Sequence, residues 1–256
     1  MEFVKFQQAQ LINSDLDMYD DKTDTPALAR TSSLVEELGQ IEYIFSDKTG
    51  TLTRNIMEFR QCSVGGIMYS DVVEAGKRAR VVGGEVIGQY DFNGLREQLN
   101  NGVNREMLFE FFQLLATCHT VIPEAKEGGG VDEIEYQASS PDEGALVKGA
   151  ALIGFKFHTR RPRSITVNVL GTDYEYEVLN INEFNSTRKR MSVVIRCPDG
   201  SIKLYCKGAD TVIMERVDRS NSPYEAATMR HLEEYATEGL RTLCLAMRNI
   251  PDDEYQ

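Results

Sequence analysis

Several short segments of the sequence combine residue types that can do chemistry. The first is Ser46-Asp47-Lys48-Thr49-Gly50-Thr51-Leu52-Thr53. It follows an apolar run at residues 41–45 that reads as a buried strand. α/β sheets place reactive groups at such strand ends, and the backbone N–H groups of a glycine-containing loop can hold phosphate oxygens. Asp47 is therefore a candidate nucleophile toward a phosphoryl group, forming an aspartyl phosphate. Lys48 and the hydroxyls of Thr49 and Thr51 are further candidate contacts. A strand-terminal Asp also serves simply to cap the next helix, and Asp-Lys-Thr alone leaves both readings open.

Four later segments are of the same kind. Ser140-Pro141-Asp142-Glu143 reads as a helix start, with Ser140 and Glu143 spaced for a capping box and Pro141 at the first helical position. Phe184 extends the alternation Tyr174, Tyr176, Val178, Asn180, Asn182, which reads as core packing. Beside Ser186 and the cations Arg188, Lys189 and Arg190 it also suits a nucleotide. A base stacked on an aromatic ring is worth roughly 1–3 kcal/mol, and cations answer phosphates. In Lys207-Gly208-Ala209-Asp210 the lysine alone reads as a surface residue, while Gly208 lets the backbone approach a ligand closely. Arg241, at the expected start of the last strand, alone reads as a surface ion-pair partner.

These groups need elements to hold them. A polar segment at 13–31, with Asp15, Asp17, Asp20, Asp21 and Asp24, reads as a solvated connector. A short helix is expected at 33–38, capped by Ser32 or Ser33 and stopped by Gly39. A hairpin is expected at 57–69, turning at Gly65-Gly66. Residues 70–104 read as loops with short elements. The helical spacing of Leu108, Phe111, Phe112 and Leu115 predicts a core helix over 107–120. Residues 124–131, with Gly128-Gly129-Gly130, read as a loop. A helix is expected at 139–153, and strands at 164–170, 173–184, 190–197 and 201–206. A last helix at 222–238 and a strand at 240–247 complete the pattern. The middle of the chain is thus α+β, with a largely antiparallel sheet flanked by helices, while 41–51 reads as one strand-loop unit of an α/β domain.

The composition sets limits. The chain has 256 residues, 41% of them apolar and 27% charged, with a formal net charge of −12. This suits a folded chain with a real core, and the acidity argues against nucleic acid as partner. The five cysteines form no Cys-x-x-Cys pair, so neither a disulfide framework nor a zinc site is signalled. No run of 18 apolar residues is present.

The longer strings carry a family resemblance along essentially the whole chain. The string from Ser46 to Asn55 resembles the phosphorylation signature of P-type ATPases. The strings from Ser140 to Val147 and from Lys207 to Ile213 resemble those of the type IV members, the phospholipid flippases. The string from Glu183 to Ser192 is similar to the adenine-stacking motif of P-type nucleotide-binding domains. Gln8 to Asp17 resembles the link from the fourth membrane helix to the phosphorylation domain. The likeness is strongest to fungal aminophospholipid flippases of late-secretory membranes. Asp20-Asp21, where a Tyr-Glu pair is more usual, is a departure in the connector.

The resemblance implies that Asp47 accepts the γ-phosphoryl of ATP and, with the carbonyl of Thr49, holds Mg²⁺. It implies that Glu143 faces the adenine amino group, Phe184 stacks on the base, Lys207 and Gly208 line the pocket, Ser186 is a minor contact, and Arg241 reaches the phosphates. Related haloacid-dehalogenase-type phosphatases carry a second Asp where this chain has Thr49, so the acyl phosphate is expected to persist. The implied layout is a connector at 1–30, the first, incomplete haloacid-dehalogenase-like segment of a phosphorylation domain at 31–56, a nucleotide-binding domain at 57–246, and a return to the phosphorylation domain at 247–256. The Asp-Gly-Glu-Thr, Thr-Gly-Asp and Gly-Asp-Gly-x-Asn-Asp segments of the family are not in the sequence. The chain is therefore expected to be a soluble fragment, its Met1 start a cut, that binds ATP but is catalytically incomplete. Its parent would move a phosphatidylserine-like lipid to the cytosolic leaflet of a trans-Golgi or plasma membrane. It would do so with its actuator, phosphorylation and membrane domains and an accessory membrane subunit. A cation-transporting relative and a soluble phosphatase of the related fold are the alternatives.

Overall fold

The computed structural model describes residues 2–21, 23–31, 34–54, 56–70, 80–82, 85–87, 92–125 and 134–255. In chain order its elements are α1 (Glu2–Asn13), α2 (Val35–Leu38), β1 (Gln61–Val64), β2 (Ile67–Ser70), β3 (Arg80–Val82), β4 (Glu85–Ile87), α3 (Asn93–Asn101), α4 (Arg105–Thr117), β5 (Ile122–Ala125) and β6 (Ile134–Gln137). They continue with α5 (Pro141–Ile153), β7 (Phe155–Arg161), β8 (Ser164–Val169), β9 (Thr172–Asn185), β10 (Arg190–Arg196), β11 (Ile202–Gly208), α6 (Asp210–Met214), α7 (Glu225–Thr237), β12 (Cys244–Ile250) and α8 (Asp252–Tyr255). The chain divides into two compact units, one from 1–55 with 79–88, the other from 56–78 with 89–256.

The second unit is built on a six-stranded sheet in the order β12-β11-β10-β9-β8-β7, with every neighbouring pair antiparallel. The strands from β7 to β11 follow one another by short connections, so the order is a meander whose register the alternating side chains set. Helices α4 and α5 pack on one another and on β7. Their buried residues Leu108, Phe112, Leu115, Val147 and Ile153 join Phe155, Phe157, Ile165, Val167, Val193, Ile195 and Tyr205 in one core. Phe112 meets Phe155 with ring centroids 5.8 Å apart. This is the mixed α+β arrangement that the strand and helix periods predict.

Several expectations are corrected. Residues 41–45 form no strand and lie exposed, with Phe45 96% accessible. A strand exists only when a neighbour takes its N–H and C=O groups, and among the described residues none pairs with this run. Residues 70–104, read as loops with short elements, hold β3, β4 and the nine-residue helix α3, whose Leu95 and Leu99 enter the core. The short β5–β6 pair, the strand β7 and the helices α1 and α6 carry too few periodic positions for the sequence to declare them. The expected caps Ser32 and Ser33 lie outside the described residues; the helix itself runs from Val35 to Leu38, with Gly39 as its C-cap. The loop read at 124–131 begins in strand β5, and its triple glycine lies outside the described residues. The hairpin β1–β2 turns at Gly65-Gly66, both at positive φ, the geometry of a type I′ turn.

The alternation through Phe184 is also broken. In β9, Val178 faces Ile195 of β10, but Asn180 faces Val194 and Ile181 faces Val193. Directly opposed residues share a face, so a bulge at Leu179 moves Asn180 and Asn182 off the face of Tyr176 and Val178. A second register shift precedes Asn185. Phe184 is 64% exposed and is no core residue.

Helix α5 carries Gly149, where an added Cβ would lie 2.6 Å from both Cβ and Cγ of Phe59. Helix propensity favours Ala over Gly by about 1 kcal/mol, but the colliding atoms sit close to the backbone and cannot swing away. Overpacking of this kind costs roughly 1–3 kcal/mol. Gly149→Ala is therefore expected to lower the urea unfolding midpoint. A raised midpoint would show that helix α5 and Phe59 are not packed as described.

Candidate functional site

The five sequence segments fall into two places. Asp47, Lys48 and Thr49 lie in the first unit. Ser140–Glu143, Phe184, Ser186, Lys207, Gly208 and Arg241 lie in the second.

In the first unit, residues 48–52 form a closed loop. The Thr53 N–H bonds to the Lys48 carbonyl at 3.2 Å, and Gly50 at φ +82° makes the turn that closes it. Thr53 Oγ1 accepts from the Gly50 N–H and donates to the Lys48 carbonyl, each at 3.4 Å. Asp47 stands at the mouth of this loop, exposed, with Oδ1 accepting from the Lys48 N–H at 2.8 Å. Its second oxygen and the Thr49 carbonyl are oxygen donors of the kind a hard cation takes. Among the described residues no group of three or more His, Cys, Asp or Glu could hold a metal. Two oxygen donors fit Mg²⁺ shared with phosphate oxygens, the usual mode for that ion.

In the second unit, the start of α5 collects charge. Ser140 has the extended backbone of an N-cap and Pro141 is the first helical residue, but Ser140 makes no side-chain cap bond. The expected capping box is not formed, because Glu143 turns away. Its Oε1 accepts from Lys207 Nζ at 3.1 Å and its Oε2 from Thr120 Oγ1 at 2.8 Å. Glu143 and Lys207 are 9% and 8% exposed, so both are buried. Lys207 is no surface lysine. It sits opposite Met191 on β10 and Leu245 on β12, on the same sheet face as buried Tyr205, and lays its stem along that face to reach the carboxylate. Next door, Arg241 Nη1 donates to Asp142 Oδ2 at 2.6 Å. Asp142 Oδ1 is buried with no hydrogen-bond partner among the described residues. The positive end of the α5 dipole favours both carboxylates there. Arg241 precedes β12 by three residues and is not at a strand start.

Phe184 and Ser186 stand at the far end of β9. Asn185 pairs with Arg190, and Arg190 with Gly208, so two strand spacings, about 10 Å, separate Asn185 from the end of β11. Gly208 is required there. A Cβ on it would lie 2.6 Å from the Lys189 carbonyl oxygen and 2.7 Å from Arg190 Cβ. The structure thus joins Glu143 to Lys207 and Asp142 to Arg241, with the exposed Phe184 ring near the end of the same sheet. An exposed aromatic, two cations and an unpartnered buried acceptor fit the face, phosphates and N–H or O–H donors of a nucleotide. A separate cavity of about 270 Å³ opens at the other end of α5, between Arg96, Asn100 and Gly154, about 18 Å of helix away.

Sequence reasoning did not single out Thr120, His119 or Arg160. The helix expected over 107–120 ends at Thr117, so Thr120 lies between α4 and β5, and Arg160 lies on β7, a strand that was not foreseen. His119 is wholly buried, packed edge-on to Phe157 at 4.6 Å. Burial first, then the charges of Arg160 and Lys207, hold it well below the usual histidine range. Burial likewise pushes the neighbouring Cys118 thiol up to about 12.

The His119 shift has a definite sign. The unfolded chain takes up a proton near pH 6.5 while the folded chain does not, so stability falls as pH drops below about 6.5. The fall from this residue approaches about 1.4 kcal/mol per pH unit. Urea unfolding between pH 7 and pH 5 should show that slope, and His119→Gln should remove it. An unchanged slope in the variant would mean that His119 is protonated in the folded state.

Residues 110–256 match the family described as P-type ATPase, cytoplasmic domain N. Over its whole length the chain is 60% identical to a phospholipid-transporting ATPase of Schizosaccharomyces pombe and 59% identical to the phospholipid-transporting ATPase DRS2 of Saccharomyces cerevisiae. It is 45% identical to the human phospholipid-transporting ATPase ID. These alignments take in 100% of this chain and 20%, 19% and 22% of those proteins, so the chain spans about a fifth of the length of the relatives it matches. A family match over more than half the chain gives the conclusion that this protein belongs to the P-type ATPases, matching them in their cytoplasmic domain N.

Proposed function

We propose that this chain is the ATP-binding and phosphoryl-accepting part of an ATP-driven phospholipid flippase. The observation that supports it best is the buried Lys207–Glu143 pair, with Arg241 on the adjacent carboxylate and the bare ring of Phe184 along the same sheet. In this reading Phe184 stacks on adenine, Glu143 accepts from its 6-amino group, and Lys207 holds the base side of the pocket. Gly208 lets the end of β11 lie against Lys189 and Arg190 at the edge of the pocket, Ser186 adds a minor contact, and Arg241 exchanges Asp142 for the phosphates, where its planar fork bonds two oxygens at once.

Asp47 is the nucleophile. One of its carboxylate oxygens attacks the γ-phosphorus of ATP, the bond from that phosphorus to the bridging oxygen breaks, and ADP leaves. Lys48 and the loop N–H groups counter the negative charge. Asp47 and the Thr49 carbonyl would hold Mg²⁺, which would supply positive charge to the phosphates. Thr49 offers no carboxylate to activate water, so the aspartyl phosphate persists long enough to be used. Residues 31–56 are assigned to the phosphorylation domain, 57–246 to the nucleotide-binding domain and 247–256 to the return, with 1–30 as connector. The relatives are named phospholipid-transporting ATPases, which supports a phospholipid cargo; in this reading it is a phosphatidylserine-like lipid carried to the cytosolic leaflet of a trans-Golgi or plasma membrane. The accompanying actuator and membrane domains and an accessory membrane subunit belong to the same reading.

One stacked base with two or three polar contacts nets on the order of 4 kcal/mol, a Kd near 1 mM. Titration with ATP should shift the backbone amides around Phe184, Lys207 and Arg241, and Phe184→Ala should weaken binding about tenfold. Silent amides at several millimolar ATP would sink the pocket assignment. For the phosphoryl acceptor, beryllofluoride should be trapped at Asp47 in the full-length protein and not in its Asp47→Asn variant.

A further inference from the structure

A chain of polar contacts runs into the proposed pocket from a direction that no motif covers. Arg160, on β7, binds the backbone on both sides of Thr120. Its Nη2 donates to the His119 carbonyl at 2.7 Å and its Nε to the Val121 carbonyl at 3.0 Å. Nη2 also meets His119 Nδ1 at 3.2 Å, and His119 Nε2 meets the Ala116 carbonyl at 2.9 Å. A guanidinium donor at one ring nitrogen and a carbonyl acceptor at the other assign the neutral Nε2–H tautomer. His119 and Val121 are fully buried. The guanidinium cannot turn without losing both carbonyls, so the backbone of Thr120 is held from both ends.

The β-branched Thr120 side chain is stiff at χ1, and its hydroxyl donates to Glu143 Oε2 at 2.8 Å. Lys207 occupies the other oxygen. A carboxylate offers about four lone-pair sites. With one bond fixed on each oxygen, the remaining sites point in set directions. Without the hydroxyl, Glu143 is tied only by the rotatable Lys207 ammonium and can swing aside.

We propose that Thr120, clamped by Arg160, is a positioning residue that aims Glu143 and thereby sets the preference for a 6-amino over a 6-oxo purine. The inference rests on the ATP-site reading above. A held Glu143 accepts from a 6-amino group but meets a 6-oxo group acceptor to acceptor, which leaves both unsatisfied. A Glu143 free to swing lets Lys207 donate to the 6-oxo oxygen, and the discrimination disappears.

The test compares ATP with inosine triphosphate, in which a 6-oxo group replaces the 6-amino group and N1 carries a hydrogen, by amide-shift titration of the chain. The wild type should favour ATP by about tenfold. Thr120→Ser keeps the hydroxyl and should keep the ratio, while Thr120→Val should bring it to about one. Should Thr120→Val fail to fold, Thr120→Ala gives the same reading, because it lacks the hydroxyl without added bulk. A merely structural role would lower stability and leave the ratio alone. An unchanged ratio in the hydroxyl-free variants overturns this inference while the pocket stands, as does an equal loss in Thr120→Ser. Absence of any ATP binding by the wild-type chain overturns the pocket reading and this inference with it.

Discussion

The packing of α4 and α5 over one face of the six-stranded sheet is the constraint on which the second unit depends. An antiparallel sheet of this kind has one face that water must not reach, and a helix pair is the cover the chain supplies. Phe112, Phe155, Phe157 and Tyr205 fill the space between, each fully buried. Burying side chains of this size contributes on the order of 2 kcal/mol each, which exceeds what any hydrogen bond at the surface contributes. The polar features described above sit where this cover ends, and their geometry follows from it.

That position explains how a lysine and a glutamate come to be buried together. Lys207 lies on the covered face of β11, and the first turn of α5 delivers Glu143 to the same place. Neither charge could stay there alone, since an unpaired ion in a dry site is strongly destabilising. Paired with each other, and with Thr120 on the second oxygen, they form a polar end to an apolar core. Arg241 and Asp142 repeat the arrangement one residue away at the surface, where salt and water weaken it. A rigid inner pair and a looser outer pair suit the nucleotide pocket proposed above, which would hold a base steadily and exchange a carboxylate for phosphate.

How far the sequence could be read varied with the physical signal. The core helix α4, the helix α5 and five of the six strands of the main sheet were legible, because period 3.6 and period 2 show directly in the residues. The run at 41–45 has the apolar content of a buried strand, yet pairing needs a neighbour that no local pattern supplies. Phe184 sat in an unbroken alternation that pointed inward. Register shifts at Leu179 and again before Asn185 broke that alternation, and such shifts show only against the partner strand. The capping box at Ser140 was a sound local reading that lost to a stronger competitor. A buried ammonium holds Glu143 more firmly than an exposed backbone N–H could.

By itself the sequence determined the elements that depend on local spacing, the membership of the family, and the residues that stand out as candidates, because periodicity and motif strings are properties of neighbouring residues. Only the tertiary structure decided which of those candidates touch. The Lys207–Glu143 contact spans 64 positions and the Arg241–Asp142 contact 99. The same holds for Thr120, His119 and Arg160, which no motif contains: His119 and Arg160 are 41 positions apart, and β7 brings the guanidinium to the backbone on either side of Thr120. Contacts at such separations are fixed by how the sheet and its helices pack, and packing is a property of the whole core.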